Sequence, residues 1–280
     1  MLLWAMGFVA LEYLFDHWGV LSLLSLRLVV SVLFLLLWWG FTESWTRLFN
    51  APWSKGLILG GFGWGLGAIL LLIGQKLSDP VATAISVSMM PITSAFVEIL
   101  FDNHRISSRL YVGIIFAVLG GYLATGVNLA EGNFGFGVIL CLSAMFLFSW
   151  CTRATTRIDD LSTIGQSTIT LCGAMLVTLI CFVFSFILGI EESLIGTFEL
   201  EHWLPLAIYV LPSCGIAQLL WIQGAAQLGV LLASFHMNAV PFYVMVIMVL
   251  LSLAKWKWIQ VGGMAIVAIG VLVSQIRKSS

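Results

Sequence analysis

Residues 215–229 read GIAQLLWIQGAAQLG, and 150 positions earlier residues 65–79 read GLGAILLLIGQKLSD. Each stretch opens on a glycine, Gly65 or Gly215, and carries a second one nine positions on, Gly74 or Gly224. The same offset continues outward without a gap, placing Pro91 on Pro241, Gly113 on Gly263 and Gly120 on Gly270. Matches of leucine on leucine mean little in an apolar chain. Glycine and proline mark close backbone approach or a kinked helix, so five such coincidences at one offset indicate an internal repeat. The earlier segments agree more loosely at an offset of 140, with Phe8 on Phe148 and Ser22 on Ser162. The chain is expected to divide into residues 1–129 and 130–280, with the junction near Asn128–Phe134.

The composition says which solvent the two halves occupy. Hydrophobic residues make up 61% of the 280 and charged residues 9%, and mean hydropathy is +1.08. Ordinary globular chains hold roughly 45–50% apolar and about 25% charged residues, so this one could not cover itself with polar surface in water. A lipid bilayer is its expected partner. Twelve Lys and Arg against 13 Asp and Glu leave a net charge of −1, which supplies no basic field for nucleic acid. The five cysteines fall in apolar runs without a C-x-x-C pair and read as small buried hydrophobes; no metal site or cofactor is expected.

Backbone groups cannot stay unpaired in lipid, so a spanning chain must cross as helices or close into a barrel. Barrel strands alternate polar and apolar residues, whereas the runs here are apolar on every face. Ten of them approach the roughly 20 residues of a crossing: Met1–Tyr13, Gly19–Gly40, Ser54–Gln75, Pro80–Phe101, Leu110–Val127, Gly135–Cys151, Ile164–Leu188, Trp203–Gly224, Val230–Leu253 and Trp258–Ile276. The first is short and has neither a basic n-region nor an A-x-A-like site. It reads as the later part of a first helix, not as a cleaved signal peptide. The expected fold is an all-α membrane protein with ten transmembrane helices. Five crossings per half, an odd number, insert the second half upside down, and inverted repeats around a shared site are a pattern of secondary transporters.

With the N-terminus in the cytoplasm, the inner loops and tail hold Arg47, Lys55, Arg105, Arg109, Arg153, Arg157, Arg277 and Lys278. The outer loops hold Lys76, Lys255 and Lys257. Positive residues favour the inside, so both termini are expected to be cytoplasmic in a multi-pass inner-membrane protein.

The run Leu3-Trp4-Ala5-Met6-Gly7-Phe8-Val9-Ala10, continued to Ser22 and Leu26-Arg27, resembles the opening of EamA-type repeats in the drug/metabolite transporter superfamily. In the second half Leu219-Leu220-Trp221, then Gly224-Ala225-Ala226-Gln227-Leu228-Gly229, Pro241, Gly262-Gly263 and Gly270-Val271 are similar to the same repeat. The likeness covers nearly the whole chain. It departs where a glutamate commonly follows the fourth helix of the repeat, since His104 and Ala254 stand there. The resemblance implies a ten-helix carrier, an exporter of small molecules such as amino acids, sugars or drugs.

Charges at mid-membrane are costly, and Arg27 lies about 12 Å into its helix at 1.5 Å per residue. It fits either an anion contact in a cavity or a clamp on Glu12 or on helix-end carbonyls. Glu12 and Glu98 fall near helix ends, where an interfacial role competes with proton coupling, so a proton or another coupling ion stays open. His236 and Asn238 precede Pro241 at mid-depth, about 200° apart around the helix; Ser86 and Ser88 precede Pro91 in the mirror segment. Polar groups just before a proline in both halves point to a central site or to interhelical hydrogen bonds. Trp64, Trp150 and Trp221 stand away from the helix ends favoured by interfacial tryptophans and fit cavity lining or packing. The candidate substrate-binding set is Trp64, Ser88, Trp150, Gln218, His236 and Asn238, with Arg27, Glu12, Pro91 and Pro241 as structural or gating residues. The glycines from Gly60 to Gly67 lack the Lys-Ser/Thr ending of a phosphate loop and are expected to pack helices closely. The rivals, an intramembrane enzyme or a non-transporting scaffold, lack respectively an H-E-x-x-H or G-x-S-x-G motif and a reason for two inverted halves. No catalytic residue is expected.

Overall fold

A computed structural model describes residues 1–77, 87, 89–103, 107–125, 135–253, 255–256 and 258–275. Several expectations fall outside these residues: Ser86, Ser88, the start of the fourth run at Pro80, the junction 128–134, His104, Ala254, and the basic residues Arg105, Lys257, Arg277 and Lys278. The side chains of Glu12 and Lys76 are likewise outside the description. Among the described residues the chain is helical and has no strand.

The helices follow the apolar runs closely. They are α1 (Leu2–Leu14), α2 (Val20–Thr42), α3 (Trp45–Phe49), α4 (Trp53–Gly60), α5 (Leu66–Leu77), α6 (Met90–Asp102), α7 (Ser108–Thr125), α8 (Phe136–Thr155) and α9 (Thr163–Ile187). After them come α10 (Leu200–Val210), α11 (Ala217–Leu228), α12 (Val230–Phe235), α13 (Val240–Leu250) and α14 (Trp258–Gln275). A π-helix, Gly61–Gly65, joins α4 to α5, and a second, Leu211–Ile216, joins α10 to α11. A 3₁₀ segment, His236–Ala239, joins α12 to α13. Ser162 caps α9, its side chain accepting from the Gly165 amide at 3.2 Å, and Ser44 does the same for the short α3.

Six of these helical stretches are long and apolar enough to span a bilayer, from Val20–Thr42 to Val230–Leu250, and three shorter ones, Leu2–Leu11, Ser108–Gly120 and Val261–Gly270, are apolar as well. The fourth expected crossing is described only from Met90 onward. Large apolar side chains face outward along the spans, among them Leu33 and Leu37 on α2, Ile180 and Val183 on α9, and Leu204 on α10. A surface of that kind is stable only against lipid; the chain is a helical, multi-pass membrane protein.

The chain forms two compact units, each drawing helices from both halves of the sequence. In the unit of residues 2–69 and 151–226, α9 packs on α4 and on the first π-helix, while α2 packs on α10 and on the second. These two sets exchange under the repeat, since α2 of the first half corresponds to α9 of the second. Glycine sets the approach. A Cβ on Gly60 would run into the Thr170 backbone, and one on Gly173 would lie 2.7 Å from the Gly61 nitrogen. The glycine cluster is therefore a helix contact, as its sequence suggested.

In the other unit, residues 70–150 and 227–280, α7 packs along α14, with a Cβ on Gly120 falling 2.5 Å from the Gly263 carbonyl oxygen. Here too α6 meets α12. The pair of α7 and α14 joins a helix to its own repeat counterpart, since Ser108–Thr125 and Trp258–Gln275 stand 150 residues apart.

Candidate functional site

The two π-helices, and the starts of two proline-bearing helices, fall at matching places in the two halves. Gly61–Gly65 lies at the 150-residue offset from Leu211–Gly215, inside the second π-helix. Pro91 and Pro241 each occupy the first turn of a helix, α6 and α13, whose starts Met90 and Val240 differ by the same 150. Proline has no N–H to donate and is tolerated at a helix start for that reason. Pro241 thus begins a fresh α-helix after a 3₁₀ segment. Pro212 in the second π-helix frees a carbonyl in the turn before it; in the first, three glycines within five residues let the backbone widen.

A π-turn shifts the hydrogen-bond ladder by one residue, leaving a carbonyl that must find a donor in lipid. Neighbouring helices supply donors. At the first π-helix the Cys151 thiol donates to the Leu59 carbonyl at 3.2 Å. At the second, Ser31 Oγ donates to the Val210 carbonyl at 2.6 Å and Arg27 Nη2 to the Ser213 carbonyl at 3.3 Å. Arg27 Cζ also sits 5.0 Å from the centre of the Tyr209 ring, a cation–π distance. Arg27 is thus held by a mid-helix carbonyl and an aromatic face; no carboxylate pairs with it among the described side chains.

Gln218 follows the second π-helix and is buried, its Nε2 without a hydrogen-bond partner. One turn further on, Trp221 is buried, donates from Nε1 to Thr152 Oγ1 at 2.9 Å, and has its ring 5.5 Å from that of Trp4. Trp64 belongs to the first π-helix and is half-buried.

In the other unit, Asn238 is buried at 1% exposure while His236 is exposed, the divergence that a two-residue spacing requires. The His236 Nδ1 bonds the carbonyl of Leu232 on its own helix at 3.2 Å. Trp150 is half-buried, and beside it Ser149 Oγ lies 3.1 Å from Thr93 Oγ1 and 3.0 Å from Ser94 Oγ, just after Pro91. These hydroxyls satisfy one another and two helix carbonyls, Met90 and Met145, a structural tie between α6 and α8. Glu98 Oε1 accepts from the Leu231 amide at 3.1 Å, at the N-terminus of α12. A carboxylate there meets both a free N–H and the positive end of the helix dipole, so Glu98 links a first-half helix to a second-half helix.

Some residues escaped the sequence reading. Thr152, Cys151, Ser31 and Tyr209 all reach their partners over long sequence separations and carry no local signal. His202 is 1% exposed, its Nδ1 donates to the Thr197 carbonyl at 2.9 Å, and its ring stands 4.6 Å from that of His17. It ties the 188–199 loop to the start of α10.

A profile described as the EamA-like transporter family matches the chain twice, over residues 1–126 and 135–275. No curated protein matches it. Solved structures do: one crystal structure, described only as that of a protein, superposes with a TM-score of 0.81 at 17% identity, covering 98% of this chain and 93% of the other.

Proposed function

The chain belongs to the EamA-like transporter family, and from that premise we propose that it is a secondary carrier exporting a small metabolite, an amino acid or related compound or a drug, across the inner membrane. The supporting observation is the pairing of the two π-helices, and of the helix starts at Pro91 and Pro241, at one offset in the two repeats. Broken helices with internally satisfied backbone are what a carrier uses to present polar groups at mid-depth. The two repeats would alternate access to a central site that includes Trp64, Ser88, Trp150, Gln218, His236 and Asn238, with both termini cytoplasmic. The family is one of transporters and not of enzymes, and we infer that this chain performs no covalent chemistry. A proton or another ion would supply the gradient.

A thermal-shift screen of the purified protein against a metabolite panel finds the substrate, because a ligand of the folded state stabilises it by mass action. Flux of that ligand in proteoliposomes then tests the site. His236→Ala and Asn238→Ala are expected to reduce flux while leaving yield and melting temperature close to those of the parent. Normal flux in both variants, or loss only in proportion to lost folded protein, would reduce these side chains to packing contacts.

A further inference from the structure

Within the unit of residues 2–69 and 151–226, α1 packs on α10, and the packing joins two histidines from opposite halves of the sequence. His17 follows the end of α1 and is exposed; His202 lies in the first turn of α10 and is buried. Their rings stand 4.6 Å apart, tilted by 50°. The Nδ1 of His202 donates to the Thr197 carbonyl, which leaves Nε2 of the neutral ring as a bare lone pair. That Nε2 is buried and has no hydrogen-bond partner. The Glu201 Oε1, 3.8 Å away, is too far to bond it and is itself an acceptor. A lone pair set against a carboxylate asks for a cation, and a second imidazole at chelating distance picks out a metal ion over a proton.

Metal-ligating imidazoles are held in just this way, one nitrogen tied to a carbonyl and the other left bare. An ion about 2.0–2.1 Å from a ring nitrogen lies about 3.2 Å from the ring centre, so two imidazoles on one ion at about 90–110° have centres roughly 4.5–5.2 Å apart. The observed 4.6 Å falls in that range. Glu201 also lines a surface cavity of about 410 Å³ together with Glu199 and Leu200. A hydrated cation can therefore approach, past two exposed carboxylates, to within one side chain of Nε2. We propose that His17 and His202 bind a divalent transition-metal ion of the zinc class, with water completing its shell. Among the described residues no three His, Cys, Asp or Glu side chains are grouped to hold an ion, so this is a two-imidazole clasp between the end of α1 and the start of α10 and not a buried structural centre. Imidazole suits zinc, nickel and copper, whereas calcium and magnesium take oxygen ligands. The clasp is independent of the carrier reading and holds or fails whatever the chain transports.

The test is calorimetric titration of the full-length protein in detergent, purified without a histidine tag and stripped with a chelator, against zinc chloride and, separately, calcium chloride. Zinc is expected to bind and calcium is not. With zinc at about a hundred times its Kd, the melting temperature should rise by roughly 5–10 °C, because the ion binds the folded state alone. His17→Ala removes one of the two ligands and should weaken zinc by roughly tenfold or more. Free of metal, that variant should melt close to the parent, since His17 is exposed and surface substitutions change stability little. In the parent protein, zinc should also protect His17 from diethyl pyrocarbonate, as read by mass spectrometry. Absence of zinc binding, undiminished zinc affinity in His17→Ala, calcium bound as tightly as zinc, or a His17 that zinc leaves unprotected would each overturn the proposal.

Discussion

Gly74 and Gly224 occupy equivalent places in the two repeats, yet their surroundings differ. A Cβ on Gly74 would lie 2.6 Å from Cys141 Sγ and 2.8 Å from the Gly137 carbonyl oxygen, while one on Gly224 meets nothing within 4 Å. Replacing each with alanine adds the same methyl to a helix, and the gain in helix propensity, about 1 kcal/mol, is common to both. The difference between the variants therefore isolates packing. For Gly74→Ala, α5 and α8 must part by about 0.6 Å to bring the Gly137 carbonyl from 2.8 Å to the 3.4 Å of ordinary contact. A backbone oxygen cannot rotate away as a side chain could, so the penalty falls in the range of about 1–3 kcal/mol found for overpacked cores. At roughly 2–4 °C per kcal/mol for a chain of this size, Gly74→Ala should melt about 2–12 °C below Gly224→Ala. Gly224→Ala should match or slightly exceed the parent. Differential scanning fluorimetry in one detergent reads both. Equal shifts in the two variants would refute the close approach of α5 to α8.

Three other outcomes follow from single contacts. Trp221→Phe keeps the ring against Trp4 but loses the 2.9 Å bond to Thr152, and thermal melting should show a loss of about 0.5–1.5 kcal/mol; no change would mean that this bond contributes nothing. At the N-terminus of α12, Glu98→Gln preserves an acceptor for the Leu231 amide and Glu98→Ala removes it, so stability should fall in the order parent, Gln, Ala, with Ala lower by about 1–3 kcal/mol; a Gln variant as weak as Ala would contradict the capping role. A cysteine introduced at Ser279 should resist a membrane-impermeant thiol reagent in intact cells, and labelling there would reverse the proposed orientation.

The spans were legible because lipid demands long apolar runs, and Val20–Thr42 or Thr163–Ile187 differ from the sequence reading by only a few residues. The offset of 150 was legible because glycine and proline have backbone consequences that leucine lacks. What lay hidden was the form of the breaks. Gly61–Gly65 and Leu211–Ile216 become π-helices because donors such as Cys151, Ser31 and Arg27 meet the carbonyls nearby, and Arg27 stands 186 residues from Ser213. Local sequence holds no record of such partners. The spacing of His236 and Asn238 did foretell that they diverge, and Asn238 turns inward while His236 stays exposed. Short α3 was missed because its signal is one serine cap and five residues.

The central claim is that a mid-depth site opens to each side of the membrane in turn. A single cysteine at His236, in a background without the five native cysteines, reports it directly: a membrane-impermeant thiol reagent is applied to right-side-out and, separately, to inside-out vesicles. Alternating access predicts labelling from both sides, with a bound substrate slowing both. Labelling from one side only, or from neither, would contradict it.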